Sequence, residues 1–256
     1  MENKKFWTLS KNGTEVLRDL EQEHKTFDMD SYHSGEHDGN SFMYYEMFGM
    51  ELYDSKGCDY ERYGCQIQPG DVVLDLGANI GLFAHRAEQR GASKVISIEP
   101  ITPTFNCLIK NKGPKTDVYK MAIGNKNEFQ EFKVHTNFYH IGGATSDKSN
   151  TILNGREIIH SELVYTININ ELFNNVIGGI DFMKVDIEGA EVEVLNEITD
   201  NNLLSLRCVA CEFHKTYDEF DNFQQKFCKR MEKLGFYEFT LYHGDGNLRT
   251  SNFWKK

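Results

Sequence analysis

Five residues able to move protons or bind polar ligands follow or end apolar runs in this sequence: Glu99, Asp186, Glu188, Glu212 and His214. Val95 to Ile98 is apolar and β-branched apart from Ser97, and it stops at Glu99. Phe182 to Val185 is a second run, polar only at Lys184, with Asp186 and Glu188 behind it. A third run, Cys208 to Phe213, carries Glu212 and leads to His214; a strand's two-residue period puts both on one face. Open α/β sheets bind ligands beyond the C-terminal ends of their strands, so these side chains are expected along one rim. Carboxylates around one imidazole make an ordinary acid–base site. A divalent metal held by Asp186, Glu212 and His214 is the alternative, and the metal-free arrangement is preferred.

The elements that must position them start from Asp71 to Gly81. Pro69-Gly70 is a turn signal, and Val72, Val73, Leu74 and Leu76 form a near-continuous apolar strand of the kind covered on both faces. Asp75 stands near its end, and Gly77 and Gly81 allow a tight turn into a helix over Leu82 to Arg90, which Gly91 stops. A strand, a glycine turn and a helix N-terminus make a nucleotide-type corner. Dinucleotide corners carry a middle glycine that lets backbone approach a pyrophosphate; here Ala78 and Asn79 stand between the two glycines. A nucleoside without phosphate suits it better, S-adenosylmethionine being the common one. Glu99, about 20 residues on, is placed to accept ribose hydroxyls.

Further along, Thr102 to Lys112 reads as a helix, Val118 to Gly124 as one strand with its turn, and Phe129 to Val134 as an exposed strand. His140 to Ser146 reads as a glycine-containing loop, Leu163 to Ile169 as a strand and Glu171 to Asn174 as a short helix. Gly189-Ala190 leads a helix with Val194, Leu195 and Ile198 inward. A helix through Phe227, Met231 and Leu234, a strand from Phe236 to Tyr242, a turn at Gly244 to Asn247 and Phe253-Trp254, as packing or pocket wall, close the chain. This alternation predicts an α/β, Rossmann-like doubly wound sheet over residues 66–256. Residues 1–65 read as a mostly helical cap. A helix is expected over Glu15 to Lys25, followed by a loop holding His33 and His37. The aromatic run Phe42 to Met50 is then either packing on the sheet edge or a wall over the pocket.

A formal charge of −11 over 256 residues argues against nucleic acid as a partner. No run is long enough to span a bilayer. Cys208-x-x-Cys211 lies in an apolar stretch with no second pair, so its thiols read as buried, and the six scattered cysteines suit a reducing cytoplasm.

The glycine corner, Ile98-Glu99-Pro100 and above all Lys184-Val185-Asp186-Ile187-Glu188-Gly189-Ala190-Glu191 resemble the FkbM-type methyltransferase family, over roughly Pro69 to Phe239. The resemblance implies a class I enzyme dependent on S-adenosylmethionine. Asp75, Gly77, Asn79 and Gly81 would shape the methionine end of its site, Glu99 would hold the ribose, and Met121 and Ala122 would flank the adenine. Asp186, Glu188 and Glu212 would face the substrate or orient catalytic groups. Asn170 departs from the aspartate usual before the short helix and is read as structural. The implied reaction is O-methylation of a sugar, glycan or secondary-metabolite hydroxyl. Asp186 and His214 are base candidates, Asp186 with its pKa raised by neighbouring Glu188 and Glu212. A nicotinamide oxidoreductase and a non-catalytic nucleotide-binding module are the competing readings, and oligomeric state is left open.

Overall fold

The chain begins with a hairpin, Phe6–Leu9 (β1) against Glu15–Arg18 (β2), and a short helix, Leu20–Glu23 (α1). This corrects the helix expected over Glu15 to Lys25. Gly13, at φ +76°, turns the chain back, and Ser10 and Thr14 close that turn, so Val16 pairs with Thr8 instead of starting a helix. The described part of the cap is therefore as much strand as helix. The computed structural model describes residues 5–10, 13–23, 43, 44, 47, 48, 58–135, 144–146, 158–176, 178–214, 220–243 and 248–255. The expected His33/His37 loop, most of Phe42 to Met50, His140 to Gly143 of the expected glycine-containing loop, and the turn at Gly244 to Asn247 lie outside them.

Val72–Leu76 (β3) runs through the corner into Leu82–Gln89 (α2), followed by Lys94–Ile98 (β4), Thr102–Asn111 (α3) and Thr116–Tyr119 (β5). Ala122–Gly124 (β6), Glu128–His135 (β7), Ala144–Ser146 (β8) and Ile158–Asn168 (β9) form a separate four-stranded sheet in the order β6-β9-β7-β8. Two expectations change here. Val118 to Gly124 breaks at Lys120-Met121 into strands of different sheets, and Ala144 to Ser146 pairs with Phe132 to Val134 rather than forming a loop. Ile169–Asn175 (α4), Phe182–Val185 (β10), Glu191–Glu197 (α5), Asp200–Ser205 (α6) and Cys208–His214 (β11) come next, then Phe220–Lys233 (α7), Phe236–His243 (β12) and Leu248–Lys255 (β13). The main sheet has the order β12-β13-β11-β10-β3-β4-β5; all neighbours from β11 to β5 are parallel, and β13 is antiparallel to both β11 and β12.

Side-chain alternation divides the core between the sheet's two faces. Leu74, Leu76, Met183, Val185, Val209 and Cys211 pack under α4, α5 and α7. Val73, Phe182, Cys208 and Ala210 pack under α2 together with the N-terminal Phe6, Leu9, Cys58, Tyr60 and Cys65. Cys208 and Cys211 thus point to opposite faces as buried thiols. Phe182 has no exposed surface, and burying such a ring stabilises the fold by about 1.5–3 kcal/mol. The buried Arg86–Glu61 ion pair and Asn111, which bonds both the N–H and the carbonyl of Trp7, fasten the N-terminal segment to α2 and α3. Phe253 belongs to the core, which settles it as packing. Among the described residues no helix is long and apolar enough to cross a membrane.

Candidate active site

The corner is built by close approach. Gly77, at φ +75°, lies against the end of β10, and a Cβ there would sit 1.7 Å from the Asp186 carbonyl oxygen. Its N–H and that of Ala78 donate to the Ile98 carbonyl at 3.1 and 2.9 Å, joining β3's end to β4's. Asn79 holds φ +53° and donates its N–H to Glu99 Oε2 at 2.9 Å. Glu99 Oε1 accepts from the Ile101 N–H at 3.0 Å and the Thr104 hydroxyl at 2.7 Å. Burial pushes the Glu99 carboxyl up, against the pull of these donors. A cavity of about 630 Å³, open mouth included, runs from Gly77, Asn79 and Glu99 past Met121 and Ala122 to Asp186 and Glu188. Phe132 of the four-stranded sheet lines it as well. Asp75 and Gly81 stand behind this wall: Asp75 is buried 3.5 Å from Lys184, and Gly81 precedes α2 with room for no side chain against Leu108.

The other strand ends meet as expected, with additional members. Asp186 follows β10, Glu188 takes the left-handed conformation at φ +52°, and Gly189 continues the turn at φ +102°. Glu191 opens α5 and accepts from the Ile187 and Gly189 N–H groups at 3.2 and 3.0 Å. His214 Nδ1 lies 3.0 Å from Glu191 Oε1, while Nε2 lies 3.5 Å from Glu188 and 3.9 Å from Glu212. The Tyr60 hydroxyl donates to Glu212 and lies 3.1 Å from Asp186 Oδ2. Lys184, expected as the polar break in its strand, is itself buried and lies 3.3 Å from Asp186 Oδ2. Ligand atoms of Asp186, Glu212 and His214 all fall within 4.8 Å of one another.

The charges do not fall where crowding alone puts them. The like charges of Glu188 and Glu212 were expected to raise Asp186; burial does push it up, yet Lys184 and then His214 overcome it and hold the carboxyl below the usual range. The raised groups are its neighbours. Burial, with Asp186 adding to it, brings Glu212 to about 7; burial against the pull of His214 brings Glu188 to about 8. Burial would lower His214, but Glu188 and Glu191 raise it well above the ordinary imidazole value. At neutral pH His214 is therefore a cation that donates, and the group poised to take a proton is Glu212.

Tyr60, Lys184, Glu191 and Phe132 were not singled out as site residues from the sequence. Lys184 left a signal as the lone charge within an apolar strand, and Phe132 as an inward position of an alternating one. Asn170 sits away from the rim; its amide receives the Thr199 N–H at 2.9 Å and donates to the Glu197 carbonyl at 2.9 Å, so it ties α4 to the α5–α6 junction.

Residues 75–237 match the family model of the methyltransferase FkbM domain. The chain is 27% identical over 162 residues to the hexuronic acid methyltransferase AglP of Haloferax volcanii, covering 61% of each. It is 27% identical over 203 residues to the 31-O-demethyl-FK506 methyltransferase FkbM of Streptomyces tacrolimicus, covering 68% of this chain and 74% of that one. It is also 26% identical over 214 residues to the AMB antimetabolite synthetase AmbE of Pseudomonas aeruginosa, of which it spans 10%. The crystal structure of a methyltransferase FkbM from Methylobacillus flagellatus superposes with a TM-score of 0.51 at 13% identity, over 92% of this chain and 57% of that one, a likeness of fold.

Proposed function

The chain belongs to the FkbM methyltransferase domain family, and from that premise we propose that it moves a methyl group from S-adenosylmethionine to a hydroxyl of a sugar, glycan or secondary metabolite. One observation carries the reading: Gly77, Asn79 and Glu99 line the same cavity as Asp186 and Glu188, so a nucleoside corner opens directly onto the acidic rim. The donor set suits this cofactor. Glu99 is held by three donors, which leaves about one of a carboxylate's four lone-pair sites, on Oε2, to receive a ribose hydroxyl. Among the described residues no lysine or arginine lines the cavity, which disfavours a pyrophosphate. Gly77, Asn79, Glu99, Met121 and Ala122 would hold the cofactor, with Asp75 and Gly81 shaping the corner from behind. When bound it supplies an electrophilic methyl group on a sulfonium.

In this reading the protein's own residues position and deprotonate the acceptor. Asp186, ionised, would receive a hydrogen bond from a neighbouring hydroxyl of the acceptor, and Glu188 would bind it alongside. Glu212 would receive the proton of the hydroxyl that is to be methylated. His214, oriented by Glu191, donates toward Glu212 and Glu188. A sugar acceptor is supported by the Haloferax relative, a hexuronic acid methyltransferase, and a secondary-metabolite one by the Streptomyces relative, a 31-O-demethyl-FK506 methyltransferase. A divalent ion on Asp186, Glu212 and His214 is a second reading, favoured by the closeness of their ligand atoms. It requires His214 to give up the proton that its acidic neighbours stabilise.

Thermal unfolding with S-adenosylmethionine, its demethylated product or NAD tests the cofactor. At about 100 times its dissociation constant a ligand adds roughly 2.7 kcal/mol of stability. A shift with the first two alone is expected; a shift with NAD alone revives the oxidoreductase, and none with any of them favours a non-catalytic module. Methyl transfer to hydroxylated sugar acids after exhaustive chelation then separates the metal-free mechanism from the metal-assisted one.

A further inference from the structure

Lys184 is a buried cation in the middle of the sheet, and its contacts lead in two directions. Its ammonium donates to the Gly77 carbonyl at 2.8 Å, on the cofactor side of the corner. It also stands 3.3 Å from Asp186 Oδ2 and 3.5 Å from Asp75 Oδ1. The rings of Tyr60 and Phe83 lie 5.3 and 5.9 Å from it. Strand register brings both partners within reach: Lys184 is paired with Asp75 on β3, two residues before Gly77 and two before Asp186. The corner has no slack, since Gly77 already meets the Asp186 backbone with no space for a Cβ.

We propose that Lys184 is a positioning residue that couples the two halves of the site, holding the Gly77 carbonyl and the Asp186 carboxylate in one geometry so that a change at the acceptor-side acid is felt in cofactor binding. This rests on the S-adenosylmethionine reading for its cofactor half only. A buried ammonium left without carboxylate partners would be costly, and so would a buried carboxylate left without the ammonium. The charged and titratable groups around the pair come from every packed element: Asp75 on β3, Glu99 after β4, Asp186 and Glu188 after β10, Glu212 and His214 on β11, and Tyr60 from the N-terminal segment. Lys184 touches both the corner's backbone and Asp186.

The test is a double-mutant cycle on the full chain: calorimetric titration of S-adenosylmethionine, with melting temperatures, for the wild type, Lys184→Met, Asp186→Asn and the double variant, beside Lys184→Arg. Lys184→Met should weaken cofactor binding about tenfold or more, Lys184→Arg should largely keep it, and the double variant should lose much less than the two single losses combined. A purely structural lysine would lower the melting temperature of Lys184→Met while the two losses in binding simply add, which overturns the proposal. Should Lys184→Met not fold, Asp186→Asn decides alone: cofactor binding unchanged from the wild type refutes the coupling. Failure of the wild type to bind S-adenosylmethionine counts against the cofactor reading instead, while the cycle in melting temperature still judges the link between Lys184 and Asp186.

Discussion

Proton transfer at this rim is decided by which side chain each charge faces. Asp186 loses basicity to Lys184, and His214 is kept protonated by Glu188 and Glu191, so the adjustable group is Glu212, at about 7. Below that pH Glu212 holds its proton and cannot take another, so kcat/KM for the acceptor should fall as pH drops through 7. Glu212→Gln should cost about 10²–10⁴-fold in kcat with cofactor affinity retained, measured by initial rates beside calorimetry. Tyr60→Phe is the finer probe, because it leaves the ring against Phe83 and removes only the hydroxyl that lowers the Glu212 pKa. The acid limb of the pH profile should move to higher pH; an unmoved limb would show that the hydroxyl does not act on the base. The acids could be read from the sequence because each ends or follows an apolar strand. Tyr60 could not: it lies 126 and 152 residues from its partners, in a stretch without periodicity.

Between elements, the deciding contact is made by one carboxylate. Glu162 on β9 accepts from the Thr102 N–H with both oxygens at 3.1 Å and from its hydroxyl, and pairs with Lys120 at 3.1 Å. It thereby serves the N-terminus of α3, where Ile101 has no side chain to offer, and clips the four-stranded sheet that carries Phe132 against the main sheet. Burial would raise Glu162, but the Thr102, His160 and Lys120 hydrogen bonds bring it below the ordinary value. Glu162→Ala should therefore lower the urea midpoint by an amount equal to about 0.5–2 kcal/mol, the cost of a lost cap. Amide exchange at Thr102 should quicken, and S-adenosylmethionine should bind more weakly as Phe132 loosens; unchanged exchange would exclude the clip. In this second sheet β7 and β9 were legible from their alternation, whereas β8, expected as part of a loop, and the break at Lys120-Met121 were not. Val118 to Gly124 looks continuous locally, and only pairing of Ala122 with Thr166 of β9 draws its second half away.

Across the whole molecule, one core layer packs the N-terminal segment onto one face of the doubly wound sheet and the other fills its opposite face, and Tyr60 carries that segment to the polar rim. Hydrophobic period was enough to foresee the layers and the sheet's order of strand and helix, but not the hairpin, whose register depends on the turn at Gly13 and on Asn111. The polar rim puts an electrostatic cost on the fold. Glu188 keeps its proton to about pH 8 in the folded chain, against about 4.3 for an exposed glutamate. Between those values unfolding releases a proton, so stability falls as pH rises, and the contribution is fully present only below the unfolded pKa. Glu188→Gln removes that release while keeping a hydrogen-bonding side chain of the same shape. Its melting temperature should match the wild type near pH 4 and exceed it increasingly toward pH 8, followed by calorimetry at each pH. Because the group is 31% exposed, solvent screening will make the gain smaller than a fully buried acid would give. Cofactor binding should narrow the gap if the sulfonium's positive charge reaches this rim, since a cation there eases the ionisation that the folded chain resists. A melting temperature that declines equally in both proteins would place the electrostatic cost on another acid of the cluster.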